Sequence, residues 1–196
     1  MGKLKRQKDF ATLIRAFARL RREQPLRLVI LGEGEERAAL ERLVQHLGIA
    51  ADVLLPGFME NPYAWMARSA VFVSSSAWEG FSNVLCEALA CGCPVVSTDC
   101  PSGSAQILQN GVYGPLVPVG DDAALAVAIA ALLRAVPGRS RQRQSVSGFT
   151  VEHATERYLE VLSGVCRSPG THRPVTTAPV PDSVTRVDRQ QRGGNA

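Results

Sequence analysis

The chain has 196 residues and a net charge of +4; it is 45% hydrophobic and 20% charged, with a mean hydropathy of +0.01. This composition excludes a wholly disordered chain, and the length fits one domain plus a tail. No apolar run approaches the roughly 18–20 residues of a membrane helix, and the first residues lack the apolar segment of a secretion signal, so we expect a cytoplasmic protein.

The apolar pattern alternates between helix-like and strand-like segments along the chain. Apolar residues at helical spacing follow Asp9, a candidate N-cap, and predict a first helix. A second helix is predicted over 35–47 and ends at Gly48. Further helices are predicted at 62–68, 83–90, 105–109 and 121–136, and Asp121 is the predicted cap of the last one. Strands are predicted at 26–31, 53–55, 71–74, 94–97 and 114–119.

Short apolar strands that alternate with helices are typical of a parallel sheet covered by helices on both faces. We therefore predict the α/β class, with a single doubly wound, Rossmann-like parallel sheet. Domains of this kind open with a strand, whereas Met1 leads within a few residues to a basic loop and a helix. The first strand is thus expected to be truncated to a stub around Leu4.

The predicted organisation has four parts. Residues 1–136 form the Rossmann-like domain, and residues 137–148, rich in Arg, Ser, Gly and Pro, are expected to be a linker. A C-terminal helix is predicted over 149–166. Residues 167–196 show no hydrophobic period and are expected to be a disordered tail.

The charge is distributed unevenly along the chain. Residues 1–27 hold nine Lys and Arg against two acidic residues, whereas residues 28–133 hold three against eleven. A basic segment suits phosphate groups, whether of a nucleotide, a nucleic acid or an anionic membrane. A solvated helix face explains the same charge, and the sequence alone leaves both readings open.

The cysteines and histidines do not predict a metal centre. There are five cysteines, none of which forms a C-x-x-C pair, and the three histidines are scattered. We expect buried, reduced thiols and no metal ligands.

The most informative stretch runs from Ser74 to Ser97, through a strand end, a polar turn, a helix and a Gly-x-Pro before the next strand. Seven residues separate Glu79, in the loop, from Glu87, about one turn into the helix. Backbone amides at 80–82 lie at the start of that helix, where a phosphate binds well. A solvated loop residue and a salt bridge on the helix face are the alternatives for the two glutamates.

The segment from Glu79 to Val96 reads EGFSNVLCEALACGCPVV. It resembles the E-x7-E segment of retaining glycosyltransferases with the GT-B fold, and family 4 is the most similar. Four further pieces occur in the family's order, and the resemblance runs from about residue 2 to residue 162. These pieces are GKL followed by KDF from residue 2, LGEG from residue 31, LPGF from residue 55 and GPLVPVGD from residue 114. The resemblance implies the C-terminal, donor-binding domain of such an enzyme.

The resemblance assigns roles to single residues. Lys8 matches a lysine that contacts the donor diphosphate, and Glu79 matches a glutamate near the transferred sugar, so these two are the expected catalytic residues. Lys3 occupies a position where the family usually has an arginine. A lysine there would contact the diphosphate without the bidentate hydrogen bonds that an arginine makes. Glu87 matches the glutamate that binds the ribose.

Backbone contacts to the donor follow from the same resemblance. Two residues are expected at the nucleotide base and four at the phosphates: Gly57 and Phe58, then Gly80, Phe81, Ser82 and Asn83. In the family that the chain resembles, a glutamate often occupies the position of Gln106. Glutamine keeps the hydrogen-bonding geometry of that glutamate and removes its charge.

The implied activity is transfer of a sugar from a UDP- or GDP-linked donor to a hydroxyl of a glycan or glycolipid, with retained configuration and without a cofactor or metal. The role would be in polysaccharide biosynthesis, with peripheral contact at the inner face of the membrane. The acceptor domain of a GT-B enzyme is expected to be missing, so we predict little or no activity for the chain alone.

Two alternatives remain. One is a non-catalytic module that binds nucleotide sugar beside a separate N-terminal partner. The other, less favoured, is a basic binder of nucleic acid or membrane surfaces.

Overall fold

The computed structural model of the chain describes residues 1–101 and 103–167. Apart from Arg167, the predicted tail lies outside the described residues. Residues 1–154 form one compact unit, and the described part of the second unit, 155–167, is helical. No helix in the described residues is both long and apolar enough to cross a membrane.

Helices and strands alternate along the described residues, as the sequence predicts. The helices are α1 (Phe10–Arg21), α2 (Arg37–His46), α3 (Tyr63–Arg68), α4 (Asn83–Ala90), α5 (Ser104–Ile107), α6 (Asp122–Arg134), α7 (Arg139–Ser145) and α8 (Val151–Arg167). The strands are β1 (Leu28–Leu31), β2 (Val53–Gly57), β3 (Phe72–Ser74), β4 (Val95–Thr98) and β5 (Leu116–Val117). Short 3₁₀ turns occupy Arg6–Lys8 and Ala50–Asp52.

All strand pairs are parallel, which confirms the predicted α/β class. β1 pairs with β2, with Leu28 opposite Val53, and β3, β4 and β5 pair in that order, with Phe72 opposite Val95. The expectation of one sheet differs from the structure, because β1 and β3 are not hydrogen-bonded to each other. The described strands therefore form a two-stranded and a three-stranded sheet.

The helices pack in two groups around these sheets. α1 contacts α2 and α6, while α4 contacts α3, α5 and α7. Leu85 and Leu89 of α4 are fully buried beside Val95 of β4. Burying a leucine side chain contributes about 1.5–3 kcal/mol, so this packing fixes α4 against the strands that carry the site.

Side-chain caps fix the start of two helices. Asp9 has a left-handed backbone (φ 41°), and its carboxylate accepts hydrogen bonds from the Thr12 amide at 3.2 Å and the Thr12 hydroxyl at 2.7 Å. The carboxylate of Asp121 accepts from the Ala124 amide at 2.8 Å. Both caps were predicted from sequence, and each satisfies an amide in a first turn that has no partner within the helix.

The segment expected as a linker, 137–148, is not an extended connection. It contains α7, in which Gln142 and Ser145 are buried. Two arginines hold this helix to the rest of the unit: Arg139 donates to the Ala67 carbonyl at 2.7 Å and Arg141 to the Val112 carbonyl at 2.8 Å. The predicted C-terminal helix is present as α8.

Candidate active site

The strands end in loops that lie at one edge of each sheet. Gly57 ends β2 and Phe58 follows it, and the segment 75–82 leads from β3 to α4. Parallel sheets bind ligands at the carboxyl ends of their strands, where helices also begin. Phe58 is 77% exposed in its loop, and Gly57 is buried with a positive φ of 86°.

The N-terminal segment is held against the β3–α4 loop. The amide of Ala77 donates to the Gln7 carbonyl at 2.8 Å, and the Ser75 hydroxyl donates to the Lys8 carbonyl at 2.8 Å. Together with the left-handed backbone at Asp9, these bonds determine where the Lys8 side chain begins. They bring together two regions that lie about seventy residues apart in the chain.

Lys8 and Glu79 meet as an ion pair between the Lys8 ammonium and Oε1 of Glu79. Their side chains are 17% and 7% exposed, so the pair is largely shielded from water. The Ser76 hydroxyl also donates to Oε1 at 2.6 Å, and Gln7 Nε2 lies 3.5 Å from Oε2. The carboxylate of Glu79 is thus oriented by a cation and by polar groups from two segments.

The loop that carries Glu79 is fixed to the neighbouring strand. The Thr98 hydroxyl donates to the Ser76 carbonyl at 2.6 Å. Gly103 lies against the start of α4, since a β-carbon there would stand 3.1 Å from the Gly80 carbonyl oxygen and 3.7 Å from the Ser82 nitrogen. The described residues therefore support the site from β4 and from the loop before α5.

The start of α4 contains a buried polar group with no partner. Ser82, 1% exposed, precedes the helix without capping it, and its hydroxyl has no hydrogen bond within the described residues. The Asn83 amide donates to the Phe81 carbonyl at 3.2 Å. Gly80 opens onto free space, whereas the ring of Phe81 lies 5.7 Å from that of Phe149.

Three other expected side chains, those of Glu87, Lys3 and Gln106, lie at partly or fully exposed positions. Glu87 is half-buried on α4 and has no side-chain hydrogen bond or ion pair within the described residues. Lys3 is exposed, and Gln106 is exposed on α5. The structure thus brings the side chains of Lys8 and Glu79 together, and it leaves the side chain of Glu87 partly exposed.

A second charged group lies beside Gly57. Arg37 donates to both oxygens of Glu33 at 2.6 and 2.8 Å, to Glu41 at 2.7 Å and to the Leu55 carbonyl at 3.1 Å. Hydrogen bonds from Arg37 are the main reason that the pKa of Glu33 lies below its ordinary value. Glycine is favoured at position 57 because its φ of 86° strains other residues, and a β-carbon there would also stand 2.7 Å from Glu33 Oε1.

The comparison with protein families agrees with this geometry. Residues 1–135 match the family model described as Glycosyl transferases group 1. The chain belongs to this family. The parallel sheets, the flanking helices and the loops at the strand ends are those of a GT-B glycosyltransferase.

Curated relatives of the chain are named as glycosyltransferases that act on different glycans. The chain is 46% identical over 122 residues to the N-acetylgalactosamine-N,N'-diacetylbacillosaminyl-diphospho-undecaprenol 4-alpha-N-acetylgalactosaminyltransferase of Campylobacter jejuni, covering 62% of this chain and 33% of the relative. It is 35% identical over 168 residues to the lipopolysaccharide core biosynthesis glycosyltransferase LpsE of Rhizobium meliloti, covering 83% of this chain and 48% of the relative.

A solved structure shows the same fold. The pneumococcal O-GlcNAc transferase GtfA, in complex with UDP and GlcNAc, superposes with a TM-score of 0.74 and 25% identity, over 85% of this chain and 35% of that one. The chain thus spans about half or less of the length of these related proteins.

The sequence patterns did not indicate two polar partners of Glu79. Ser76 stands three residues before Glu79, and Gln7 precedes Lys8, but neither belongs to a motif that the resemblance supplied. The spacing of Arg37, four residues from both Glu33 and Glu41, is a helix ion-pair signal that the sequence does contain.

Two of the described cysteines, Cys86 and Cys93, are poor nucleophiles. Burial raises the pKa of Cys93 to about 11, and burial followed by the charge of Glu87 raises the pKa of Cys86 to about 11. Both thiols are therefore protonated at neutral pH, which removes their reactivity. Among the described residues, no group of three His, Cys, Asp or Glu side chains is placed to hold a metal ion.

Proposed function

We propose that the chain is the C-terminal, donor-binding half of a retaining, family 4 glycosyltransferase and that it binds a UDP-linked sugar. The observation that carries the proposal is the shielded Lys8–Glu79 pair, held beside the start of α4. The alternation of apolar segments explains the fold, but it does not explain why a cation and a carboxylate are buried at the end of β3.

The site has the donors that a diphosphate needs. A lysine ammonium carries three N–H donors, and Glu79 is the one described acceptor of Lys8, which leaves donors for phosphate oxygens. The start of α4 adds its partial positive charge and the buried Ser82 hydroxyl, which has no partner within the described residues. Gly80 leaves the space in front of these groups open.

Glu79 acts by orientation in this proposal. Its carboxylate accepts from Lys8 and Ser76, so it holds the ammonium toward the diphosphate. When the bond between the sugar and the diphosphate breaks, negative charge develops on the departing phosphate. Preorganised donors at that position are worth far more than the same donors in water, and this stabilisation supplies the catalysis.

Glu87 and the loop after β2 complete the donor site. The half-buried carboxylate of Glu87 accepts hydrogen bonds from the ribose hydroxyls, and Lys3 adds charge near the phosphates. The backbone at Gly57 and the exposed ring of Phe58 meet the base.

The acceptor is a glycan or glycolipid bound by a second, N-terminal domain. Two observations support this part of the proposal: the relatives named for undecaprenol-linked and lipopolysaccharide substrates, and the 48% of LpsE that the chain covers. The chain alone leaves the transferred sugar open to water on the acceptor side, so we expect nucleotide binding with little or no transfer.

Calorimetric titration of the 196-residue chain with UDP, GDP and ADP tests the proposal. We expect UDP to bind most tightly, and Glu87→Ala to weaken it by at least about tenfold, since a hydrogen bond to a charged group is worth about 1.5–3 kcal/mol. Glu23→Ala, which removes an exposed carboxylate from the end of α1, is the matched control. Equal loss in both variants, or no saturable binding of any nucleotide, contradicts the proposed site.

A further inference from the structure

A second pocket lies beside the proposed donor site, where α1 and α2 begin. It has a volume of about 500 Å³. Its walls come from the loop before α1, the starts of α1 and α2, and the loop after β3, and they include Arg6, Glu36 and Trp78. None of the residues expected to contact the donor lines it. The pocket is therefore separate from the place proposed for the diphosphate.

Hydrogen bonds hold two walls of the pocket to the N-terminal segment. Gln7 Nε2 donates to the Trp78 carbonyl at 2.9 Å, and the Glu36 amide donates to the Leu4 carbonyl at 3.0 Å. Trp78 is followed directly by Glu79, whose carboxylate belongs to the candidate active site. The pocket and the candidate site thus share one loop, and the bonds that fix this loop position both.

The pocket combines apolar side chains with an accessible aromatic ring. Phe10 and Leu40, which line it, are almost fully buried. The side chain of Trp78 is 53% exposed, so one large apolar ring remains in contact with water. Covering such a ring is favourable, and an indole offers a flat apolar face together with one N–H donor. The pocket is therefore suited to a ligand with a flat apolar side.

The charges around the pocket favour a neutral ligand. Lys5 and Arg6 supply two positive charges, and Asp9 and Glu36 supply two negative charges, so the formal charges sum to zero. An anion bound here would be attracted by the two cations and repelled by the two carboxylates, and a cation would experience the reverse. A neutral ligand with both donors and acceptors avoids this conflict.

Three polar groups of the pocket have no hydrogen-bond or ion-pair partner within the described residues. They are the guanidinium of Arg6, the carboxylate of Glu36 and the indole N–H of Trp78. The guanidinium and the indole donate, and the carboxylate accepts. Hydroxyl groups can do both, so a ligand rich in hydroxyls satisfies all three. A pyranose ring has hydroxyls around its rim and a face of C–H bonds that can stack on an indole.

We propose that this pocket binds one neutral hexopyranose ring of the acceptor glycan, stacked on Trp78 and hydrogen-bonded by Glu36 and Arg6. The inference rests on the proposed function, since it assigns to this chain a contact with the acceptor. Because Trp78 and Glu79 are consecutive residues, the bound ring lies beside the loop that carries the candidate site. This chain then contributes to the choice of acceptor in addition to holding the donor.

The test titrates the 196-residue chain, saturated with UDP, with the methyl glycosides of glucose, galactose and N-acetylgalactosamine, using ligand-observed NMR. We expect saturable binding of at least one glycoside in the millimolar range. Trp78→Ala should weaken it at least about fivefold, whereas Trp78→Tyr, which keeps an aromatic face, should retain most of it. Glu36→Ala should also weaken it at least about fivefold, because an acceptor is lost.

Trp65→Phe is the matched control, because Trp65 is a partly exposed tryptophan outside this pocket. It should leave glycoside binding unchanged. The chain has two tryptophans, so this variant keeps Trp78 alone as a fluorescent reporter. Its emission should then change with the same concentration dependence as the NMR signal.

Four results contradict the proposed subsite. Binding of the glycosides only in the absence of UDP places them in the donor site. Equal weakening by Trp78→Ala and Trp65→Phe shows that the pocket is not involved. Tighter binding of inorganic phosphate than of any glycoside, lost in Trp78→Ala, makes the pocket an anion site. Binding of UDP without binding of any glycoside rejects the subsite alone, whereas a chain that binds no UDP in calorimetry contradicts the proposed function instead.

Discussion

Replacing Lys8 with methionine separates the structural and the ligand-binding roles of the Lys8–Glu79 pair. Methionine keeps most of the side-chain volume and removes the charge. Glu79, whose side chain is 7% exposed, then retains the Ser76 hydroxyl at 2.6 Å and loses its cation. The same substitution removes the main cation that the proposed site offers to a diphosphate.

The expected loss of stability in Lys8→Met depends on how deeply the pair is buried and on the donors that Glu79 keeps. Removing one partner of a fully buried ion pair costs about 3–5 kcal/mol, and an exposed pair is worth about 0–1 kcal/mol. Lys8 is 17% exposed and Glu79 keeps a second donor, so we expect Lys8→Met to lower the free energy of unfolding by about 2–3 kcal/mol. UDP affinity should fall at least about tenfold, because a charged hydrogen bond is lost.

The double variant Lys8→Met/Glu79→Gln gives the decisive comparison. Without an uncompensated carboxylate, its stability should lie within about 1 kcal/mol of the unchanged chain, while UDP binding stays weak. Urea unfolding at pH 7 measures the first quantity and calorimetry the second. Lys5→Met, which removes a charge from the same loop, is the control and should leave both nearly unchanged. Recovery of UDP affinity in the double variant would refute direct contact between Lys8 and the diphosphate.

Two further predictions concern backbone packing and pH. Gly32→Ala should lower the free energy of unfolding by more than about 2 kcal/mol in urea unfolding, since its β-carbon would stand 1.9 Å from the Gly2 carbonyl oxygen. Gly138→Ala is the control and should be neutral, because a β-carbon at Gly138 would have no atom within 4 Å. Equal effects of the two substitutions would contradict the close approach at Gly32. The Met1 amine has its pKa lowered from 8.0 to about 5 in the folded state, so the unfolded chain binds more protons between these values, and stability should rise as pH increases from about 5 to about 8. An Nα-acetylated chain should lack this rise, and parallel pH profiles of the two forms would show that the amine is not buried.

Local signals in the sequence predicted the elements well. α4 spans Asn83–Ala90 as predicted, because a polar turn, an apolar helix face and a glycine near its end bound it on both sides. The capping roles of Asp9 and Asp121 were also readable, since a short acidic side chain stands directly before each apolar period. Each of these signals lies within a few residues of the feature that it determines.

Long-range features were not readable in the same way. α7 lies in a segment of Arg, Ser and Gln with no apolar period, and it is held through arginine bonds to distant carbonyls. The resemblance selected Lys8 and Glu79 separately, but their contact depends on Ala77 pairing with Gln7, which no local pattern encodes. The division of the sheet is invisible to periodicity, because the apolar pattern of a short strand does not show which other strands it pairs with.

The N-terminal segment connects the end of β1 to the candidate site. Gly2 packs against Lys8, since a β-carbon at Gly2 would stand 3.3 Å from Cε of Lys8. Gly2 and Leu4 are bonded to the end of β1, while Gln7 and Lys8 are bonded to the loop after β3. Any shift of β1 relative to β3 must therefore move the Lys8 backbone relative to β1 or to Glu79, so the packing that holds these two strands also positions the ammonium that the proposed diphosphate would meet.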